Sequence, residues 1–186
     1  FMEKEGGLIT KEDLENYSVK WVEPIKMQYR GNDVYGQPPP SSSITWMEIL
    51  KTLDGYDLVS MGHNTPDFLR LFIEATKHAY QHGYQYVTDP AFQDVPVEKL
   101  LSDEAADEIR KSIDEGGVRD FKPVDHAYLH QPEWPNHSTS HMVIMDEEGN
   151  AISSTITLGT FFGAGFVVEG TGLLMSNGMD WFDIDE

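Results

Sequence analysis

Cysteine is absent from the sequence, which excludes disulfides, a thiolate nucleophile and cysteine-type zinc sites. Positive charge is scarce. Lysine and arginine total 13 against 32 aspartates and glutamates, a formal net charge of −19, and from Ile113 onward only Arg119 and Lys122 are basic. A surface of that sign repels phosphate backbones and anionic lipid, so no nucleic-acid partner is expected. No apolar run reaches the length of a bilayer crossing, so no membrane-spanning segment is expected, and no charged-then-apolar leader opens the chain. Internal repeats and long low-complexity tracts are also missing. The first residues are Phe1-Met2, and a piece of a longer protein is the natural reading. With 186 residues, 39% hydrophobic and 11% aromatic, there is material for one self-sustaining core.

Several elements announce themselves locally. Thr10 with Asp13 three residues on forms a capping box, predicting a short helix with Leu14 and Tyr17 turned inward. Residues 19–36 read as extended, with Ile25, Met27 and Tyr29 alternating before a turn at Arg30-Gly31-Asn32-Asp33. Pro38-Pro39-Pro40 predicts a stiff extended connector, and Ser41-Ser42-Ser43 offers caps for a helix carrying Ile44, Met47, Ile49, Leu50 and Leu53. Thr65-Pro66-Asp67 is a cap, a first-turn proline and a first-turn acid. The long helix it starts is expected to bury Phe68, Leu69, Phe72, Ile73, Thr76, Ala79 and Tyr80 and to end near Gly83. His78 and His82 share one face of it at metal-ligand spacing, but the sequence supplies no evident third ligand, so no metal site is expected. Ser102 caps a further helix carrying Ile109 and Ile113. Residues 118–138 then form an irregular connector with Pro123, Pro132, Pro135, His126, His130 and His137. Loops of that length inside a domain tend to be functional or flexible.

The last third is β-rich. Asn136-His137-Ser138-Thr139-Ser140-His141 runs into Met142-Val143-Ile144-Met145, and Asp146-Glu147-Glu148-Gly149-Asn150 turns the chain into a strand ending in Thr155-Ile156-Thr157. A turn centred on Glu148-Gly149 places Thr139 opposite Leu158, and a one-residue bulge places it opposite Thr157. In both registers two hydroxyl clusters meet at the open end of one hairpin. An ordinary hairpin satisfies the pattern as well as a site does. A threonine becomes a nucleophile once a base takes its proton, and an N-terminal threonine supplies its own α-amine for that purpose, with a pKa of about 8. The amine exists only after the chain is cut before the threonine, and here the irregular connector ends at Ser138.

Thr139-Ser140-His141, Asp146 with Gly149-Asn150, and Thr155-Ile156-Thr157 resemble the processing region of the γ-glutamyltransferases, which are N-terminal-nucleophile hydrolases. Gly6-Gly7-Leu8-Ile9-Thr10-Lys11-Glu12-Asp13-Leu14, Tyr29-Arg30-Gly31, Pro38-Pro39-Pro40-Ser41-Ser42, Asp89-Pro90-Ala91-Phe92 and Gly172-Leu173-Leu174 extend the resemblance colinearly through nearly the whole chain. It implies an α+β fold, part of an αββα sandwich. It also implies a precursor that cleaves itself between Ser138 and Thr139, so that residues 1–138 are the C-terminal part of a large subunit and residues 139–186 the N-terminal part of a small one. Thr139 is then the nucleophile toward a γ-glutamyl amide such as glutathione, and Thr157 the second threonine that positions and polarises it. The remainder of both subunits and a small-molecule acyl amide are the implied partners. No cofactor is implied, and the family leans toward periplasmic or extracellular settings.

Departures from the family pattern cluster at the substrate head group. Gly159 replaces an asparagine that helps hold the substrate. In Ser176-Asn177-Gly178-Met179-Asp180-Trp181-Phe182, Gly178 stands in place of Gln or Glu, and Trp181 in place of the aspartate that grips the α-amino group. Ser43-Ile44 replaces two glycines, and Gly83 an arginine. Two alternatives follow: a family acylase acting on a non-glutamyl amide of glutaryl or cephalosporin type, or a fragment without catalytic competence.

Overall fold

The computed structural model describes residues 1–116 and 137–181. The irregular connector, with His126 and His130, falls outside the described residues except for its last two positions. The chain divides into two compact units, Val19–Lys122 and a second made of Phe1–Ser18 with Pro123–Glu186.

The Val19–Lys122 unit begins with an antiparallel hairpin, β1 (Ile25–Tyr29) and β2 (Asn32–Gly36), in the register Tyr29↔Asn32. Helix α3 (Ser43–Leu53) follows, then the single turn α4 (Leu58–Met61), the long α5 (Pro66–Tyr86), the turn α6 (Val97–Leu100) and α7 (Asp103–Gly116). Between β2 and α3 the three prolines do not hold the chain extended as expected. The chain turns, with the Ser41 N–H donating to the Pro38 carbonyl. Ser43 Oγ accepts from the Gln37 N–H at 3.0 Å and lies 3.0 Å from Ser41 Oγ. Ser42, at the cap position, makes no side-chain cap bond. The serines thus brace the turn instead of capping the helix.

Helix α5 starts where its cap chemistry places it, with Thr65 Oγ1 accepting from the Phe68 N–H at 3.3 Å. Thr65→Ala is expected to lower the unit's stability by about 1 kcal/mol, the usual value of such a cap, measured as a shift in urea midpoint. The helix does not end near Gly83 but runs on to Tyr86. At Gly83 it passes Thr45 of α3 so closely that an added Cβ would lie 2.8 Å from Thr45 Oγ1. A glycine there is a packing requirement, not a terminator.

The buried face of α5 agrees with the expected one only at Ala79. Leu71, Glu74, Ala75, His78 and Ala79 are buried, whereas Leu69, Phe72, Ile73 and Tyr80 are 41% to 52% exposed. The small alanines admit α3 and α7, and Leu53, Leu71, Ala75, Ile109 and Ile113 form one core cluster. A second joins Ile44, Val95 and Leu100, with Ile25 and Tyr86 packed against it. Helix α7 is capped by Ser102, whose Oγ accepts from the Ala105 N–H. Arg110 on α7 reaches the carbonyls of Lys51 and Thr52 at the C-terminal end of α3, where a cation is favoured by the helix dipole.

The second unit holds α1 (Met2–Glu5), α2 (Lys11–Asn16), and an antiparallel pair, β3 (His137–Met145) and β4 (Ala151–Thr160). The Thr10–Asp13 capping box of α2 forms as expected. Leu14 and Tyr17 do not turn inward, being 69% and 77% exposed, because among the described residues nothing packs on so short a helix. After β4 the chain makes a tight corner and a single antiparallel bridge, Val167↔Leu174, before the 3-10 turn Gly178–Trp181.

Candidate active site

The geometry of the β3–β4 hairpin is set at its turn. Asp146 Oδ1 accepts the N–H groups of Glu148 and Asn150, and Asp146 N–H donates to the Asn150 carbonyl. Its carboxyl is held below the ordinary range, chiefly by the hydrogen bond from the Asn150 side chain. Gly149 adopts φ 84°, a left-handed conformation that costs a non-glycine residue about 1–2 kcal/mol. The loop therefore holds three residues between Asp146 and Asn150, one more than a turn centred on Glu148-Gly149 allows. Gly149→Ala is expected to speed amide exchange across β3 and β4 several-fold, as that strain implies.

That extra residue sets the register, with Met145↔Ala151 and onward to Thr139↔Thr157. Thr139 faces Thr157 directly, not Leu158, with no bulge between it and the turn. The irregularity comes one step later, between His137 and Thr139. Side chains directly opposite on an antiparallel pair share a face, and the two hydroxyls meet. Thr139 Oγ1 donates to Thr157 Oγ1 at 3.2 Å. Thr157 Oγ1 in turn donates to the Ser138 carbonyl at 3.1 Å and accepts the Gly159 N–H at 3.0 Å. One hydroxyl thus holds the threonine side chain, the carbonyl before it, and the backbone two residues on.

The Gly159 amide was not legible as a contact, although a glycine two residues after Thr157 with φ 91° suits a strand whose N–H turns back on its own side chain. One step along the same face, His141 Nδ1 lies 2.7 Å from Thr155 Oγ1, and Nε2 lies 3.1 Å from Ser153 Oγ. The alternation of His141 with Thr139, and of Ser153 with Thr155 and Thr157, carries that ladder in the sequence. Beyond the pair, Asn177 fixes the end of β4. Its N–H donates to the Leu158 carbonyl, and its Oδ1 accepts the Thr160 N–H. Gly178 and Trp181 lie in the 3-10 turn that follows, where the Gly178 N–H donates to Ser176 Oγ at 3.4 Å. The structure therefore brings Thr139, Thr157, Ser138 and Gly159 together. His78 and His82 have partners of their own: Ser112 Oγ at 3.4 Å and Glu48 Oε1 at 2.6 Å. No cluster of three or more metal-ligating side chains occurs among the described residues.

The Gamma-glutamyltranspeptidase family model matches residues 1–186. The chain belongs to the γ-glutamyltranspeptidase family. It is 38% identical over 182 residues to the glutathione hydrolase proenzyme of Escherichia coli K12, covering 97% of this chain and 31% of that protein. It is also 38% identical over 184 residues to the Acylase ACY 1 proenzyme of a Pseudomonas species (strain SE83), covering 98% of this chain and 32% of that one. Among solved structures, the cephalosporin acylase from Bacillus halodurans superposes with a TM-score of 0.77 at 37% identity, covering 99% of this chain and 32% of the acylase. The γ-glutamyltranspeptidase of Helicobacter pylori gives 0.62 at 33% identity, covering 73% and 39%. The chain spans about a third of the length of the curated relatives it matches. Membership in the γ-glutamyltranspeptidase family, with a mixed α+β fold, thus holds across both compact units. No helix among the described residues is long and apolar enough to cross a membrane.

Proposed function

We propose that this chain carries the processing bond and nucleophile of a self-cleaving amidohydrolase or acyltransferase of the N-terminal-nucleophile type. The observation that supports the reading best is the hydrogen-bonded relay from Thr139 Oγ1 through Thr157 Oγ1 to the Ser138 carbonyl. In the precursor, Thr139 Oγ adds to the Ser138 carbonyl carbon through a five-membered ring, as its proton passes to the Thr157 hydroxyl and that hydroxyl's own proton passes to the carbonyl oxygen. The ring then opens with loss of the C–N bond, the nitrogen takes up a proton, and an ester remains. Water hydrolyses the ester, leaving a Ser138 carboxylate and a free Thr139 amine.

In turnover that amine accepts the Oγ proton as Thr139 attacks an acyl amide. The acyl group passes from the ester to water or to an amine. Once the new Ser138 carboxylate moves away, the Thr157 hydroxyl is free to donate to the nucleophile. Residues 1–138 then end the large subunit and residues 139–186 begin the small one, within an αββα sandwich completed by the remainder of both. The compact units do not follow that boundary, as befits a boundary set by bond chemistry and not by packing. Incubation of the full-length precursor, followed by intact mass measurement, is expected to give a fragment beginning at Thr139. A precursor that stays whole refutes the proposal.

For the acyl group, two readings stand. A γ-glutamyl amide is the reading from the relatives named for glutathione hydrolysis. A non-glutamyl amide is favoured by Gly159, Gly178 and Trp181 at the three head-group positions and by the likeness to acylases. A site without a partner for the substrate ammonium gains nothing from that charge and must desolvate it. Glutaryl anilide is therefore expected to be turned over about tenfold or more faster, as kcat/KM, than γ-glutamyl anilide. The reverse ratio would assign the glutamyl substrate.

A further inference from the structure

The two peptide groups that flank Gly159 are both tied to Asn177. The Leu158 carbonyl and the Gly159 N–H belong to one planar trans peptide and point opposite ways. The carbonyl accepts the Asn177 N–H at 3.0 Å, while the Gly159 N–H reaches Thr157 Oγ1 at 3.0 Å. The next peptide ends in the Thr160 N–H, which Asn177 Oδ1 accepts at 2.9 Å. With both planes held by one residue, the dihedrals of Gly159 between them are set. That matters at a buried glycine with φ 91°, because glycine moves between positive and negative φ at little cost. The corner after β4 carries Asn177 back to this place. Thr160 Oγ1 donates to the Gly163 carbonyl at 2.7 Å, and the Ala164 N–H donates to the Met175 carbonyl at 2.8 Å.

The consequence falls on the Thr157 hydroxyl. A hydroxyl has one proton to donate and two lone pairs that accept. The Thr139 hydroxyl takes one lone pair and the Gly159 N–H the other. The single O–H is then left for the Ser138 carbonyl, 3.1 Å away. Were the Gly159 N–H to turn aside, the hydroxyl would be free to rotate off that carbonyl.

We propose that Asn177 is a positioning residue for cleavage before Thr139: by fixing the Gly159 amide, it sets the direction in which the Thr157 hydroxyl passes its proton. The inference rests on the self-cleavage reading above. The test follows cleavage of the full-length precursor by intact mass against time. The parent is compared with Asn177→Ala, Asn177→Asp, Thr157→Val and the double variant Asn177→Ala with Thr157→Val. Asn177→Ala removes the acceptor from the Thr160 N–H. It is expected to slow cleavage about tenfold, a part of the about 10²-fold expected for loss of the Thr157 donor itself. Asn177→Asp keeps an acceptor oxygen and should recover most of that rate. Added to Thr157→Val, Asn177→Ala should change the rate by less than about twofold, since residues that act through one shared group are not additive. Simple loosening of the fold would slow both backgrounds alike. Amide exchange at Val143 and Ile144 monitors the ribbon, and if alanine abolishes that protection, Asn177→Ser withdraws the oxygen with a smaller change. A parent precursor that stays whole refutes the cleavage and this role with it. A parent that is cut, with Asn177→Ala cut as fast or slowed equally with and without Thr157, refutes the role of Asn177 alone.

Discussion

Replacing Thr139 by alanine in the full-length protein is expected to leave the precursor whole and to lower turnover by about 10³-fold or more, the scale on which loss of an attacking group is felt. The geometry separates this from a general loss of folding. Thr139 is exposed, and its hydroxyl bonds to Thr157 Oγ1 at the surface of the ribbon, so the alanine variant should unfold with the parent's midpoint. Thr139→Ser keeps the oxygen and is expected to process slowly but to completion. Thr157→Val keeps the strand and removes the donor from the Ser138 carbonyl, and it should slow processing about 10²-fold, the usual cost of losing one polarising hydrogen bond. Equal processing of the parent and the Thr157→Val chain would separate the pair from the chemistry and leave it an ordinary cross-strand contact. Intact mass against time reads all four proteins.

The second large effect is expected at Glu48 and His82. Burial pushes the Glu48 carboxyl above its ordinary 4.5, against the opposing pull of His82. The hydrogen bond from Glu48 holds His82 above its ordinary 6.5. Both groups therefore bind protons more tightly folded than unfolded, and linkage gives both the same sign. His82 contributes fully below its unfolded pKa, and that contribution is lost as pH rises through the raised folded value. Glu48 burial costs nothing while the carboxyl is protonated and costs more as it ionises. Stability of the Val19–Lys122 unit should therefore fall as pH rises from about 5 to 8.

The exposed carboxylates act elsewhere on the scale. Asp33 and Asp103 are lowered, each first by its lysine partner, so their contribution is lost only as pH falls below the ordinary carboxylate range. His82→Gln removes the partner of a carboxylate that keeps one oxygen without a hydrogen bond. It is expected to cost about 2–3 kcal/mol at pH 8, below the full value for a buried pair because His82 is part exposed, and much less at pH 5. Glu48→Gln should flatten the profile. Urea midpoints at the two pH values decide it. A parent whose midpoint rises from pH 5 to 8 would show the pair does not govern this window.

What was legible in the sequence follows the range of the forces involved. Thr10 with Asp13, Thr65 with Pro66, and Ser102 act within one helical turn, and each element begins where its cap lies. The buried face of α5 was not legible because the helix is apolar on more than one side. Leu71 and Ala75 pack with α3 and α7, and no local rule prefers them to Phe72 and Ile73. Only the arrival of α3 across Gly83 and the two alanines decides it. The hairpin failed by one residue for a conformational reason, since Gly149 takes the left-handed region and so lengthens the turn. The meeting of Thr139 with Thr157 survived that error because it was an allowed register from the outset. Its engagement of Gly159 and Ser138 depends on how the backbone bends at each strand end, which no local pattern in the residues sets.

The strands that carry Thr139 and Thr157 pair only with each other among the described residues, and both of their faces carry open apolar side chains. Met142 and Ile144 lie on one side, Val143 and Met145 on the other, each between 44% and 69% exposed. A lone two-stranded ribbon is marginal in water, and its free edges invite further strands. The lifetime of the threonine contact is then governed by whatever layers are laid over the ribbon. On the proposed reading, the bond before Thr139 is then cut at a rate that depends on what steadies the ribbon.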